Sequence, residues 1–159
     1  MTQQQASVIT DEMRGRIGVE SEPVSHEVDN TGCRQFARAV GYTDAIYFDE
    51  AAAKAKGHRA IVAPYGFLGH PVVVPGQAAR VPEAFRLDIP YKRVLNGGTD
   101  IEYMGEVCAG DRLTATTKLT DLTEREGKMG PMLIVNTETA YRNEKDETVA
   151  IQRGTAINY

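Results

Sequence analysis

The chain of 159 residues has no tryptophan, four phenylalanines, three histidines and two cysteines. Each scarcity removes a class of function. Cys33 and Cys108 form no metal-ligand or dithiol spacing, so zinc and redox motifs drop out. Few aromatic rings leave no platform for stacking nucleobases. The 18 Lys+Arg against 22 Asp+Glu give a net charge of -4, with the basic residues scattered along the chain, which excludes general affinity for nucleic-acid phosphates. No apolar run approaches the roughly 20 residues that span a bilayer. The longest, Ala60-Ile61-Val62-Ala63 and Val72-Val73-Val74, each run into a proline. The start Met-Thr-Gln-Gln-Gln lacks the basic and apolar regions of a secretion signal, and a reducing cytoplasm is the expected location. Also missing are a Gly-rich phosphate loop ending in Lys-Ser/Thr, a Gly-x-Ser-x-Gly elbow and a His-Glu-x-x-His pair. Nucleotide, serine-hydrolase and zinc-protease chemistry therefore lose their usual carriers, and no cofactor or metal is expected.

What is present reads as one ordinary globular domain over residues 1–159, with 42% hydrophobic and 25% charged residues. Residues 1–22 are polar apart from a short helical piece, Thr10 to Arg14, which Thr10 caps and which is expected on the outside. Val24, His26 and Val28 alternate with Ser25 and Glu27, so Pro23 to Val28 is predicted as a first strand. Asp29 or Asn30 then caps a helix that places Cys33, Phe36, Ala37 and Val40 at helical spacing and stops at Gly41. Asp49 caps a second, shorter helix from Glu50 to Lys56, and Gly57 ends it. The apolar run to Pro64 leads into a Gly- and Pro-rich region, Tyr65 to Gly76. There Pro71 and Pro75 forbid a long helix and leave room for one or two turns near Phe67 to His70. Residues 76–95 show no periodicity; irregular stretches of that length are commonly functional, and a loop over a ligand site or partner surface is expected.

From Gly98 onward the pattern is β. Strands are predicted at Thr99 to Val107, at Arg112 to Glu124 with Leu113, Ala115, Thr117 and Leu119 alternating, and at Met132 to Arg142 with Leu133, Val135, Thr137, Thr139 and Tyr141 on one face. A last strand, Thr148 to Tyr159, puts Val149, Ile151, Ile157 and Tyr159 in phase, and Gly127 to Pro131 and Asn143 to Glu147 make the turns. A helical region followed by consecutive hairpins predicts an α+β fold with helices on one face of an antiparallel sheet. Such a sheet exposes edges that need covering, so an oligomer is expected. Among the histidines, His26 is expected to be structural and His58 to sit in a solvated turn, while His70 lies in the Gly/Pro region where a binding role is open. Gly97-Gly98 alone reads as a strand-entry kink rather than a phosphate cradle.

The stretch Phe36-Ala37-Arg38-Ala39-Val40-Gly41-Tyr42-Thr43-Asp44-Ala45-Ile46-Tyr47-Phe48-Asp49-Glu50 resembles the Phe-Ala-x-x-x-Gly-Asp-x-Asn-Pro-Leu-His-x-Asp segment of MaoC-like and (R)-specific enoyl-CoA hydratases. Gly57-His58-Arg59-Ala60-Ile61-Val62-Ala63-Pro64 is similar to that family's approach to its central helix. Leu95-Asn96-Gly97-Gly98, Gly110-Asp111-Arg112-Leu113 and Gly130-Pro131-Met132 resemble the FAS1-like dehydratase, or MaoC N-terminal, branch. The resemblance extends from about Gly18 to Tyr159. It implies a hotdog fold, a curved antiparallel sheet wrapped around a central helix, paired as dimers or double hotdogs. The implied chemistry is reversible addition of water to an enoyl thioester. In it an aspartate and a histidine move the protons, and backbone N–H groups at the central helix polarise the thioester carbonyl.

Aligned on Gly41 and Asp49, the family's catalytic aspartate falls on Tyr42 and its histidine on Tyr47. Neither phenol, with an ordinary pKa near 10, replaces a base poised near neutrality. Asp44 falls on the family's asparagine, where a turn-forming role is favoured over that of a displaced acid; Asp111 reads as a turn residue. The resemblance therefore implies a non-catalytic half that widens the acyl pocket, with a catalytic MaoC-like hotdog subunit as partner and an acyl-CoA or acyl-carrier thioester as ligand. A widened tunnel suits a long or bulky acyl group, whether fatty, aromatic or steroid-derived. No catalytic residue is assigned to this chain. Tyr42, Tyr47, Pro64, Tyr65 and Gly66 are expected to line the acyl channel, and Asp44, Gly97 and Gly98 complete the expected substrate-binding set. Two other readings stand beside it: an autonomous homodimeric hydratase or thioesterase using Asp44 or Asp49, and an acyl-thioester-binding protein without catalysis.

Overall fold

A helix leaves its first N–H groups without partners, and this chain meets each start with a short oxygen-bearing side chain. In the computed structural model, which describes residues 7–75, 86–128 and 130–159, Thr10 caps helix α1 (Asp11–Gly15) and Asp29 caps α2 (Asn30–Ala39). Asp44 caps a single 3-10 turn (Ala45–Tyr47), and Asp49 caps α3 (Glu50–Ala55). Gly41 and Gly57 follow α2 and α3 with φ of 79° and 90°, the left-handed conformation that closes a helix without the strain of a Cβ.

The strands are β1 (Val24–Glu27), β2 (His70–Pro71), β3 (Val94–Tyr103), β4 (Arg112–Gly127), β5 (Gly130–Arg142) and β6 (Thr148–Asn158). They form one sheet in the order β2-β1-β4-β5-β6-β3, with every neighbour antiparallel. The β5–β6 hairpin is closed by Asn143, whose Oδ1 accepts from the N–H groups of Lys145 and Glu147 at 3.0 Å each.

Alternation along the strands selects the face that closes over the core. Leu113, Ala115, Leu119, Leu133, Val135 and Tyr141 are all buried on it. In β4 the phase is reset by a bulge between Leu119 and Asp121, so the next buried residue is Leu122; two residues there oppose one on the partner strand. In β6 the register shifts opposite Tyr141 and Arg142, and Val149 and Ala150 are buried consecutively while Ile151 and Ile157 are half-buried.

Among the described residues, most of the buried side chains fall into two clusters with no residue in common. In the first, Cys33 and Phe36 of α2 and Ile61, Ala63, Phe67 and Leu68 pack on Leu113, Ala115, Tyr141 and Val149. In the second, Met13 of α1 and Leu87, Ile89 and Tyr91 pack on Leu119, Leu122, Leu133 and Val135. The N-terminal piece, expected on the outside, instead packs on the sheet, with Met13 buried in the second cluster. Of the stretch expected to cover a ligand site, residues 76–85 lie outside the described residues. From residue 86 it lays alternate side chains on the second cluster, and β3 begins at Val94, five residues before the predicted Thr99.

Near Phe67 to His70, where the prolines leave room for at most one or two helical turns, no helix forms. Phe67 N–H bonds to Pro64 C=O at 2.9 Å, with Gly66 third in the turn at φ 98°, and Gly69 follows at φ 81° before the chain joins β2. Positive φ at both glycines excludes a right-handed helix and matches a turn that needs glycine in its third position. No helix follows Pro64, where the resemblance places the family's central helix; α2 packs on the first cluster of the sheet and α1 on the second.

Leu113 is fully buried at the centre of the first cluster. Leu113→Ala is expected to cost about 2–5 kcal/mol, read as a lower urea midpoint at unchanged m-value. A loss below about 1 kcal/mol would show that this face is not closed over as described.

Candidate functional site

Loop 41–49 is held where α2 ends. Arg34 Nε donates to Phe48 C=O at 2.9 Å, and Val62 N–H donates to Ile46 C=O at 3.0 Å. Residues 61–63 are fastened in turn to 107–109, through Ala63 N–H to Val107 C=O (2.9 Å) and Ala109 N–H to Ile61 C=O (2.8 Å). These bonds bring the 3-10 turn beside the Pro64–Phe67 turn.

Two tyrosine pairs result. Tyr42 and Tyr47 lie with ring centroids 5.1 Å apart, and Tyr65 meets Tyr103 edge-on at 5.0 Å. Such pairs contribute about 0.5–1.5 kcal/mol each beyond burial. The pairs sense one another electrostatically. Burial raises the Tyr47 pKa, with Tyr42, Tyr65 and Asp44 adding to it. Burial also raises Tyr103, only partly opposed by its bond to the Gly66 backbone, with Tyr65 and Tyr42 adding to it. Tyr47 and Tyr103 are therefore neutral phenols at physiological pH.

Four of the expected residues thus stand together: Tyr42, Tyr47, Tyr65 and Gly66. Pro64 is fully buried beneath them. Tyr103 joins them at the end of β3, its hydroxyl accepting from Gly66 N–H at 2.7 Å across 37 residues of sequence. No local pattern marks Tyr103; its place depends on how β3 pairs with β6. Gly66 must be glycine here, since a Cβ would lie 3.0 Å from the Phe36 ring at φ 98°.

Of the remaining expected residues, Asp44 borders the cluster but is committed to structure, and Gly97 and Gly98 lie apart. Asp44 accepts from Ile46 N–H and holds Lys56 Nζ with both carboxylate oxygens at 2.9 Å. That hydrogen bond to Lys56 is the main reason its pKa is lowered, which makes it a poor proton acceptor near neutrality. Gly97 and Gly98 form a bulge on β3, about 17–20 Å along the strand from Tyr103 at 3.3 Å per residue. A Cβ on Gly97 would meet the Thr155 methyl at 2.9 Å; close packing on β6 accounts for it.

The other candidate chemistry is occupied structurally. His58 pairs with Glu106, a partner the reading of a solvated turn lacked. Arg59 and Cys108 N–H hold Asp111 at 2.9 Å. His70 Nε2 stands 4.0 Å from Asp29 and edge-on to Phe67. Burial pushes the thiol of Cys33 up to about 12 and that of Cys108 to about 11, so neither is a thiolate nucleophile. Among the described residues, no group of three or more His, Cys, Asp or Glu could hold a metal, and no helix is long and apolar enough to cross a membrane. A cavity of about 610 Å³ lies between Met104–Glu106 and the 143–149 turn, lined by Arg59, Asp111 and Arg112 and by none of the tyrosines.

A curled antiparallel sheet with few helices packed on it is the hotdog fold, shared with solved structures of a MaoC-like dehydratase and an (R)-hydratase. Residues 16–152 match the family model described as the FAS1-like dehydratase domain region. The chain belongs to that family. It is 36% identical over 135 residues to a UPF0336 protein of Clavibacter michiganensis subsp. michiganensis, covering 83% of each. Among solved structures, the HadBC (3R-hydroxyacyl-ACP dehydratase) complex of Mycobacterium tuberculosis aligns at TM-score 0.70 and 26% identity, over 89% of this chain and 96% of that one. The ChsH1–ChsH2 complex of the same organism aligns at TM-score 0.77 and 21% identity, over 93% and 87%.

His26 gives the neighbourhood a pH dependence. Its ring lies edge-on to Tyr141 at 5.5 Å, and its buried Nδ1 has no hydrogen-bond partner among the described residues. Burial holds its pKa below the ordinary 6.5, partly offset by the backbone of Gly69 and Leu68. The unfolded chain therefore binds the proton first as pH falls. The His26 contribution to stability is whole above pH 6.5 and declines below it toward the folded-state value. The unfolding temperature is expected to drop on going from about pH 7.5 to about 5.5, and His26→Gln to drop less. An equal drop in both proteins would show that His26 is not the group responsible.

Proposed function

We propose that the chain is the non-catalytic, pocket-forming half of an enoyl-thioester hydratase or 3-hydroxyacyl-thioester dehydratase, working beside a catalytic MaoC-like hotdog subunit. The observation that carries this reading is the Tyr42–Tyr47 pair. It occupies the two positions where the resemblance puts the proton-transferring aspartate and histidine, and Tyr47 is held neutral by burial. A phenol so placed supplies apolar surface and a hydroxyl, and no base near neutral pH. Asp44 supports the same reading, because its carboxylate is committed to Lys56. The Asp/His pair is then the partner's, and Tyr42, Tyr47, Pro64, Tyr65 and Gly66 form part of the wall around the acyl group. The reading places the chain in the cytoplasm, where acyl-CoA and acyl-carrier thioesters are handled.

The partner is expected on the free edge of β3. Among the described residues this strand pairs with β6 on one side only, and it is exposed over most of its length, Val94 at 64% and Leu95 at 49%. An edge with apolar side chains is a template for another strand. The HadBC and ChsH1–ChsH2 structures are themselves complexes of two named subunits, which supports a heteromeric arrangement.

Hydration of a panel of enoyl-CoA thioesters of increasing chain length tests the assignment, with the chain alone and mixed with a MaoC-like hotdog protein encoded beside it. Turnover is expected only in the mixture. Turnover by the chain alone would overturn the reading in favour of an autonomous enzyme, and saturable acyl-CoA binding without turnover under any pairing would make it a binding protein. Replacing Val94 and Leu95 together by lysine is expected to abolish co-elution with the partner while leaving the circular dichroism spectrum unchanged, since charge on an edge strand opposes pairing. Retained co-elution would move the interface elsewhere.

A further inference from the structure

Among the described residues, Tyr103 is the one tyrosine of the cluster whose hydroxyl is held by a hydrogen bond, and that bond uses only its acceptor side. A phenol carries one O–H donor and acceptor lone pairs. One lone pair is taken by Gly66 N–H at 2.7 Å, and no acceptor for the phenolic proton is found among the described residues. The rings around it, Tyr65 edge-on at 5.0 Å and Tyr42 close enough to raise its pKa, give it neutral neighbours. Asp44, the carboxylate of the adjoining loop, is held by Lys56. The acceptor best suited to this proton is thus an uncharged oxygen that enters the cluster with an apolar group attached.

We propose that Tyr103 O–H donates a hydrogen bond to the carbonyl oxygen of a bound acyl thioester, making Tyr103 a substrate-positioning residue of this chain. The inference rests on the acyl-thioester reading given above. Its physical basis is the chain of donors from Gly66 N–H through the Tyr103 hydroxyl to the ligand carbonyl, in which each bond polarises the next. The backbone N–H of this turn, which the family resemblance would aim at the carbonyl, reaches it here through the phenol. Tyr103 would fix how deep the acyl group sits, and the two tyrosine pairs would pack against the carbons beyond.

The test compares two ligands of equal length: octanoyl-CoA, a saturated thioester that cannot be hydrated, and S-octyl-CoA, the thioether without the carbonyl. Both are titrated calorimetrically into the full chain, alone and with the MaoC-like partner. The quantity read is the ratio of the two affinities. A neutral hydrogen bond predicts that Tyr103→Phe reduces the preference for the thioester by about three- to tenfold, with thioether affinity unchanged. Replacing Tyr103 by 3-fluorotyrosine, a stronger donor of similar shape, is expected to raise the preference above that of the natural protein. An unchanged ratio in both variants would overturn the proposal and leave the acyl-thioester reading standing. Binding of neither ligand by the natural protein, alone or with its partner, would overturn both.

Discussion

The site depends on one close approach: residues 64–71 lie against α2 and β1 at a distance that only missing side chains allow. A Cβ on Gly32 would meet the Phe67 ring at 2.5 Å, one on Gly66 the Phe36 ring at 3.0 Å, and one on Gly69 the Glu27 carbonyl oxygen at 2.7 Å. Three glycines on two segments thus let helix, strand and turn share one layer. With this contact made, Phe36 and Phe67 meet at 5.7 Å and Phe67 fills the space over α2. Val72 N–H bonds to Ser25 C=O, and His26 and Glu27 pair with Pro71 and His70. The turn that presents Tyr65 and the Gly66 N–H is therefore clamped from both ends. Its geometry is a by-product of core packing before it is a feature of any binding site.

This arrangement separates scaffold from chemistry. The polar residues that look most reactive in the sequence are consumed in holding loops: Asp29, Asp44 and Asp49 cap helical turns, Asp111 gathers Arg59 and the Cys108 N–H, and His58 takes Glu106. Most of these pairs are exposed, and each contributes only about 0–1 kcal/mol as an ion pair; their value lies in fixing where the turns go. What is left at the junction of loop 41–49 with turn 64–67 is aromatic and uncharged. A surface of that kind sorts ligands by shape and by single hydrogen bonds.

The legibility of this fold in its sequence follows from the range of the interactions. Helix starts and stops were readable because Asp29, Asp49, Gly41 and Gly57 act on their own neighbours. The hairpins were readable because Leu113, Ala115, Leu119, Leu133, Val135 and Tyr141 alternate. The bulge at residue 120 was not, since it resets alternation without leaving a signature of its own, whereas at residue 97 the glycine pair marks the kink. The resemblance brought Tyr42, Tyr47, Tyr65 and Gly66 to one place from two segments, whereas Gly97 and Gly98 were carried along by a motif that the structure uses for packing. Tyr103 has no mark in the sequence because its partner is 37 residues away and is a backbone N–H; such a contact has no complementary residue type to betray it.

The division of the core into two clusters with no shared side chain bears on how the molecule opens. The second cluster is covered by elements that are short or irregular, α1 and residues 87–91, laid on strands that continue beneath both. The first is sealed by α2 and by the glycine-dependent contact. Fluctuations that lift α1 expose Leu119, Leu122 and Leu133 while the hydrogen-bonded ladder of β4 and β5 remains intact under Tyr141. Amide hydrogens of the β4–β5 tip are then expected to exchange through a local opening of lower energy than that which frees those of β4 beside α2. One continuous sheet thus carries two levels of protection along the length of the same strands.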